Sequence, residues 1–197
     1  MAHQVPLKNV KIRSGVTFQV SEDLVCSCVI HSSCRVFKGT FEGESVAVKK
    51  LPFNCTDYIG PQDEQHWAKL IKLIDDHDHV VQYRLHGVQD NIRYDFQVQS
   101  VSFNLQLCVF IRYLVMQLCQ GSLLDYCRGT LNESVASHVK ATDVMWQIIC
   151  GVDYLHRQKV DYGDLELKNV LFWKNDPKSR LVVVKLAGYG CNKVLIY

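Results

Sequence analysis

Residues 36–51 read VFKGTFEGESVAVKKL. Apolar and polar side chains alternate on both sides of Glu42-Gly43, and a short break of this kind between two such runs marks a β-hairpin. The pattern predicts one strand over residues 34–41 and a second over 44–50, the second closing on Lys49 and Lys50.

Upstream, residues 16–20 and 24–30 also alternate or run apolar, as strands do. Residues 1–15 are expected to form a tail. Downstream, residues 61–74 open on Pro61, which suits a first helical turn, and Trp67, Leu70, Ile71 and Ile74 then recur at helical spacing. Residues 80–88 and 107–118 are strand-like, and 122–128 resemble a short helix. The clearest helix is 139–158, where Val144, Ile148, Val152 and Leu155 fall on one stripe. Two short apolar strands, 169–173 and 181–187, flank a turn at Asn175-Asp176-Pro177. A strand-rich half with one helix, then a helix-rich half with a hairpin, is an α+β pattern in two lobes. No linker separates them.

The 197 residues are enough for one domain with a proper core. Hydrophobic residues make up 48% and charged residues 21%, which excludes a disordered or collagen-like chain. A net charge of +2 leaves no electrostatic footprint for nucleic acid or an anionic membrane. No apolar run is long enough to span a bilayer, and residues 1–13 lack the apolar core of a signal peptide. The expectation is therefore an intracellular, cytoplasmic chain. Its nine cysteines are an odd count without a C-x-x-C pair, and Cys26-x-Cys28 has the wrong spacing for a zinc knuckle. They read as reduced, mostly buried thiols. His77-x-His79 follows Asp75-Asp76 in a helix-to-strand turn and is a weak metal motif.

Four segments then acquire a common meaning. The hairpin 36–51 with its V-A-V-K, the run LVMQLCQGSLLDYCR (114–128), the run QIICGVDYLHRQKVDYGDLELKNVLF (147–172) and VVVKLAGYG (182–190) resemble, in order and spacing, a protein kinase domain. The resemblance covers about residues 18–195. HDHVVQY, LCQGSL and GCNKVL are similar to the inositol-requiring kinase/ribonuclease group, with tyrosine-kinase-like kinases as the wider neighbourhood. It implies a bilobal α+β fold, with an antiparallel N-lobe over 16–118 and an incomplete helical C-lobe over 119–197.

Phosphoryl transfer is mostly positioning and charge stabilisation. The resemblance implies that Lys49 meets the nucleotide phosphates and that Met116 and Cys119 line the ATP pocket. It further implies that Asp164 is the catalytic base and Asn169 a magnesium ligand, on the D-x-x-x-x-N spacing. ATP and magnesium are the cofactors if the chain is active, and there are none otherwise. Several parts depart from the pattern. Tyr162-Gly163 stands where the family has His-Arg, and Glu166 replaces a lysine, a like charge beside the transferred phosphate. Gly188 replaces the metal-binding Asp, and one neutral amide is too little for a hard cation. The glycine-rich loop falls on Cys28, Ile30 and Ser33, which suit phosphate cradling poorly. Trp67 aligns with the glutamate that would hold Lys49, while Glu64 lies three residues earlier on a similar helical face.

Residues 91–112 intervene where the family has a short turn. They are read as an extra strand, lengthened flanking strands, or translated intron, the repeated Ile-Arg-Tyr at 92–94 and 111–113 suiting the last. Ending at Tyr197, the chain stops before the family's activation segment and later helices, so helix 139–158 is expected to lack part of its cover. The expected function is a catalytically impaired, kinase-like binding or regulatory module that relies on a protein partner. The alternative is a weakly active ATP-dependent protein serine/threonine kinase using Lys49, Asp164 and Asn169.

Overall fold

The computed structural model describes residues 7–12, 14–27, 35–54, 61–74, 77–95, 106–163, 165–176 and 178–188. The chain divides into two compact units, Met1–Ala68 with Tyr83–Gln117, and Lys69–Gln82 with Leu118–Tyr197.

The first unit is built on a six-stranded antiparallel sheet. Its strands are β1 (Lys8–Lys11), β2 (Thr17–Ser27), β3 (Arg35–Phe41), β4 (Glu44–Asn54), β5 (Tyr83–Asp95) and β6 (Gln106–Gln117), in the order β1-β2-β3-β4-β6-β5. The hairpin read from residues 36–51 is β3–β4, in register from Phe41↔Glu44 to Arg35↔Lys50. Glu42 and Gly43 both take positive φ, 52° and 82°, the twist a two-residue turn needs to keep right-twisted strands paired. Val46 and Val48 enter a core with Phe18, Val20, Tyr113 and Val115. The Phe18 and Tyr113 rings meet edge to face at 5.3 Å.

Two expectations change here, and a third is resolved to one of its alternatives. Part of the supposed tail is strand: Lys8–Lys11 pairs with β2, and Val10 and Ile12 are buried in the core. Four residues are too few for alternation to stand out in sequence. Residues 16–20 and 24–30 are not two strands, because β2 runs continuously to Ser27 with register shifts between Val20 and Cys26, and 28–30 lie outside the described residues. Finally, the insertion lengthens its flanking strands. Beyond Gln89↔Ile111, β5 and β6 stay paired from Ile92↔Val109 to Asp95↔Gln106, and β4 follows as far as Asn54↔Val109. Each added pair satisfies backbone donors and acceptors that a loop would leave to water.

Helix α1 (Pro61–Ile74) follows the predicted span, and the division between the units falls within it. The second unit holds β7 (Gly121–Ser122), α2 (Leu123–Cys127), α3 (Glu133–Ala136), α4 (Ala141–Arg157), β8 (Val170–Trp173) and β9 (Val183–Leu186). Strands β7, β8 and β9 form an antiparallel sheet in that order. Ser122 and Asp125 cap α2 reciprocally. The Ser122 hydroxyl accepts from the Asp125 N–H at 3.2 Å, and the Asp125 carboxylate accepts from the Ser122 N–H at 2.8 Å.

Helix α4 is clamped to β9 by Gln147, whose Nε2 donates to the Val182 carbonyl (3.4 Å) and whose Oε1 accepts from the Val184 N–H (2.8 Å). Gly151 lets the helix approach closely, since a Cβ there would lie 2.8 Å from both the His79 carbonyl oxygen and Leu186 Cδ1. The stripe expected to lack part of its cover is covered unevenly: Val144 and Leu155 are buried, and Ile148 and Val152 half-buried. The exposed apolar face is the adjacent one, with Met145 64%, Trp146 66% and Ile149 56% exposed. Among the described residues, no helix is long and apolar enough to cross a membrane.

These two faces of α4 predict opposite responses. Gly151→Ala forces backbone apart and is expected to cost about 1–3 kcal/mol, a fall of roughly 2–10 °C in Tm. Ile149→Glu is expected to stay within about 0.5 kcal/mol of wild type. Thermal melts followed by circular dichroism compare the two.

Candidate functional site

Lys49 ends the V-A-V-K segment and Lys50 follows it, and strand parity separates the two. Lys50 lies on the core side, its Nζ 4.4 Å from the centre of the Phe37 ring and 6.0 Å from that of Tyr113. Burial, then the nearby Lys8, hold its pKa below the ordinary lysine range. Lys49 takes the opposite face, between Val36 of β3 and Leu114 of β6 in the register. Ala47 and Met116 pair one step along on the same face, and both are buried. The first unit thus brings together two of the predicted pocket positions, Lys49 and Met116. The third, Cys119, belongs to the second unit. It is part-exposed as a residue, but its thiol is buried, which pushes its pKa up to about 12 and keeps it neutral.

In the second unit, the chain leaving α4 turns at Lys159, with φ 59°, and enters the stretch read as the catalytic loop. Tyr162, where the family has His, is buried, and its hydroxyl donates to the Ala187 carbonyl at 2.6 Å. Glu166 precedes a 3-10 turn, Leu167–Asn169, whose Asn169 N–H donates to the Glu166 carbonyl at 2.8 Å. The Ala187 N–H donates to the Asn169 carbonyl, also at 2.8 Å. The loop is thereby tied to the end of β9, and Asn169 and Gly188 come into contact. A Cβ on Gly188 would lie 2.7 Å from Asn169 Cγ. The predicted base, Asp164, lies outside the described residues, as do Cys28, Ile30 and Ser33; the side chains of Glu64 and Trp67 are likewise not described.

Glu166 reads differently once its surroundings are known. Lys168 Nζ lies 2.6 Å from Glu166 Oε2, and both side chains are partly buried. The carboxylate that looked like a bare opposing charge is one half of an ion pair. The i, i+2 spacing of Glu166 and Lys168 was visible in the sequence, but only the 3-10 turn folds the two side chains together.

Where the loop meets the end of β9, the described residues Asn169 and Gly188 offer a magnesium ion no carboxylate. A hard divalent cation takes about six oxygens in close octahedral geometry. At this point Asn169 offers one neutral amide oxygen, and Gly188 offers none. The His77-x-His79 motif has other partners. His77 stacks on Tyr154 with ring centres 4.4 Å apart, and burial and then His79 lower its pKa. His79 Nδ1 donates to the Val184 carbonyl at 3.0 Å. With Asp78, Gln82 and Cys150 these imidazoles line an open pocket of about 430 Å³. Among the described residues, no group of three His, Cys, Asp or Glu side chains could hold a metal ion.

Comparison with known proteins agrees with the fold. The protein kinase domain matches residues 32–196. The serine/threonine-protein kinase/endoribonuclease ireA of Aspergillus fumigatus is 30% identical over 78% of the chain. CDPK-related kinase 7 of Arabidopsis thaliana is 33% identical over 77% of the chain. The serine/threonine-protein kinase/endoribonuclease ire-1 of Caenorhabditis elegans is 25% identical over 97%. The matches span 11%, 23% and 17% of these three relatives' own lengths. The hairpin carrying Lys49, the loop carrying Asn169 and this match over most of the chain together make it a member of the protein kinase domain family, with an α+β kinase fold and serine/threonine kinases among its relatives.

Proposed function

We propose that this chain is a kinase-fold binding or regulatory module with little or no phosphotransfer of its own. The observation that carries this reading is Gly188. It supplies no carboxylate at the position where an active relative would fix its metal, and it is backed directly by Asn169. Removing one preorganised electrostatic element from such a site lowers the rate by roughly 10²–10³. The exposed Met145, Trp146 and Ile149 support a protein partner, since clustered large apolar side chains mark interaction surfaces more often than chance. An intracellular location belongs to the same proposal.

The second reading is a weak ATP-dependent serine/threonine kinase using Lys49, Asp164 and Asn169. One observation favours it: Lys168 neutralises Glu166, so the loop does not confront a phosphate with an unpaired charge.

Thermal melts with ATP, with and without magnesium, separate the readings. The module predicts no magnesium-dependent rise in Tm, and a strong rise abolished by Lys49→Ala would overturn it. In a radiolabelled transfer assay the module predicts incorporation at the level of the blank. Incorporation that disappears in Asp164→Ala would establish the kinase instead.

A further inference from the structure

The turn that follows α1 carries two imidazoles, and their hydrogen bonds assign them different tautomers. His79 Nδ1 faces the Val184 carbonyl at 3.0 Å. A carbonyl only accepts, so this nitrogen carries a proton, and the bond survives protonation of the ring. His77 Nδ1 instead accepts from the His79 N–H at 3.2 Å. That bond needs a lone pair on Nδ1, so it exists only while His77 is neutral, with its proton on Nε2.

We propose that His77 is a proton-operated latch: in its neutral form it holds the turn 77–81 against β9 and α4, and on protonation it lets that turn go. The turn is one of the two lateral supports of β9. The Lys185 Nζ donates to the Asp78 carbonyl, the Leu186 N–H to the His79 carbonyl and the Val81 N–H to the Leu186 carbonyl, each at 2.9 Å. His77 shapes this turn. Besides the bond at Nδ1, its carbonyl accepts from the Val80 N–H at 3.1 Å, and its ring stacks on Tyr154 of α4 with planes 15° apart. A proton on Nδ1 would set one donor against another, replacing a hydrogen bond by a repulsion.

The groups that face His77 set the direction of the switch. From its own turn come Asp78 and His79, whose ring centre lies 5.5 Å away; from α4 come Asp153, Tyr154 and Cys150; from β9 comes Lys185. Burial, then His79, oppose the imidazolium, and Lys185 adds to them, while Asp78 and Asp153 favour it. The balance holds His77 below the ordinary histidine value of 6.5. The folded chain therefore binds fewer protons here than the unfolded one. The stability His77 contributes is complete above pH 6.5 and is lost as the pH falls through its lower folded value. Solvent protons reach the ring, because both imidazoles line an open pocket of about 430 Å³. The latch acts on the anchoring of β9, and so on the Ala187–Asn169 tie at its end. It does not depend on whether the chain transfers phosphate.

The test compares the full chain with His77→Asn. Asparagine keeps an acceptor two residues before the same N–H, as in an Asx turn, and does not titrate. Lowering the pH from about 7.5 to about 5.5 is expected to reduce Tm by roughly 2–4 °C more in wild type than in the variant. Hydrogen exchange, corrected for its intrinsic pH dependence, localises the effect. Protection of the Val81 and Leu186 amides should fall several-fold in wild type and not in His77→Asn, while Val48 of the first sheet keeps its protection. An NMR titration of the imidazoles should place His77 below 6.5, with Nε2 as the protonated nitrogen of the neutral ring, and Asp153→Asn should lower it further. A His77 titration at or above that value, a neutral ring protonated on Nδ1, equal Tm losses in the two chains, or unchanged protection at Leu186 would each overturn the latch. If His77→Asn does not fold, the wild-type titration and exchange decide.

Discussion

Strand β9 is hydrogen-bonded along both edges, and the second unit depends on that. On one side it pairs with β8, Val170 opposite Leu186. On the other, the Leu186 N–H donates to the His79 carbonyl and the Val81 N–H to the Leu186 carbonyl, each at 2.9 Å. Gly151 brings α4 against the same strand, and Gln147 clamps it. A strand held from three directions cannot slide, so the residues that leave it, Ala187 and Gly188, have fixed positions. The catalytic-loop stretch is then tied to that fixed end through Asn169 and Tyr162. The backbone at 188 thus leaves a well-anchored strand of the second unit.

Cations are managed in the same economical way on both units. Lys185 sits in β9 with its Nζ on the Asp78 carbonyl at 2.9 Å and 5.2 Å from the centre of the Trp173 ring. Burial lowers its pKa, and the carbonyl and the aromatic face offset part of that desolvation. Lys50 does the same on the core side of the first unit with Phe37 and Tyr113. Lys168 takes a carboxylate instead. In each case the charge at the end of a long side chain reaches a partner.

Much of the fold was legible because it rests on short-range patterns. Alternation about Glu42-Gly43 gave the hairpin, and Pro61 with the spacing of Leu70 and Ile74 gave α1. Four of the five predicted site positions are described: Lys49 and Met116 on one face of the first sheet, and Cys119 and Asn169 in the second unit. The β1 strand was missed because four residues carry almost no periodic signal, and the continuity of β2 because its register shifts break the alternation. The stripe of α4 was legible, but the bare face beside it, Met145, Trp146 and Ile149, was not, since a period gives the faces of a helix and not what each one meets.

By itself the sequence determined the kinase family, the order of most of the elements, and the absence of a carboxylate at Gly188. These follow from residue identity and spacing along the chain. Only the tertiary structure decided that Glu166 is paired, that Met145, Trp146 and Ile149 face outward, and that Gly188 lies in a left-handed conformation under Asn169. Those facts depend on how a turn folds, on which surfaces pack, and on backbone ties between residues 162–169 and 187–188, none of which adjacency in sequence encodes.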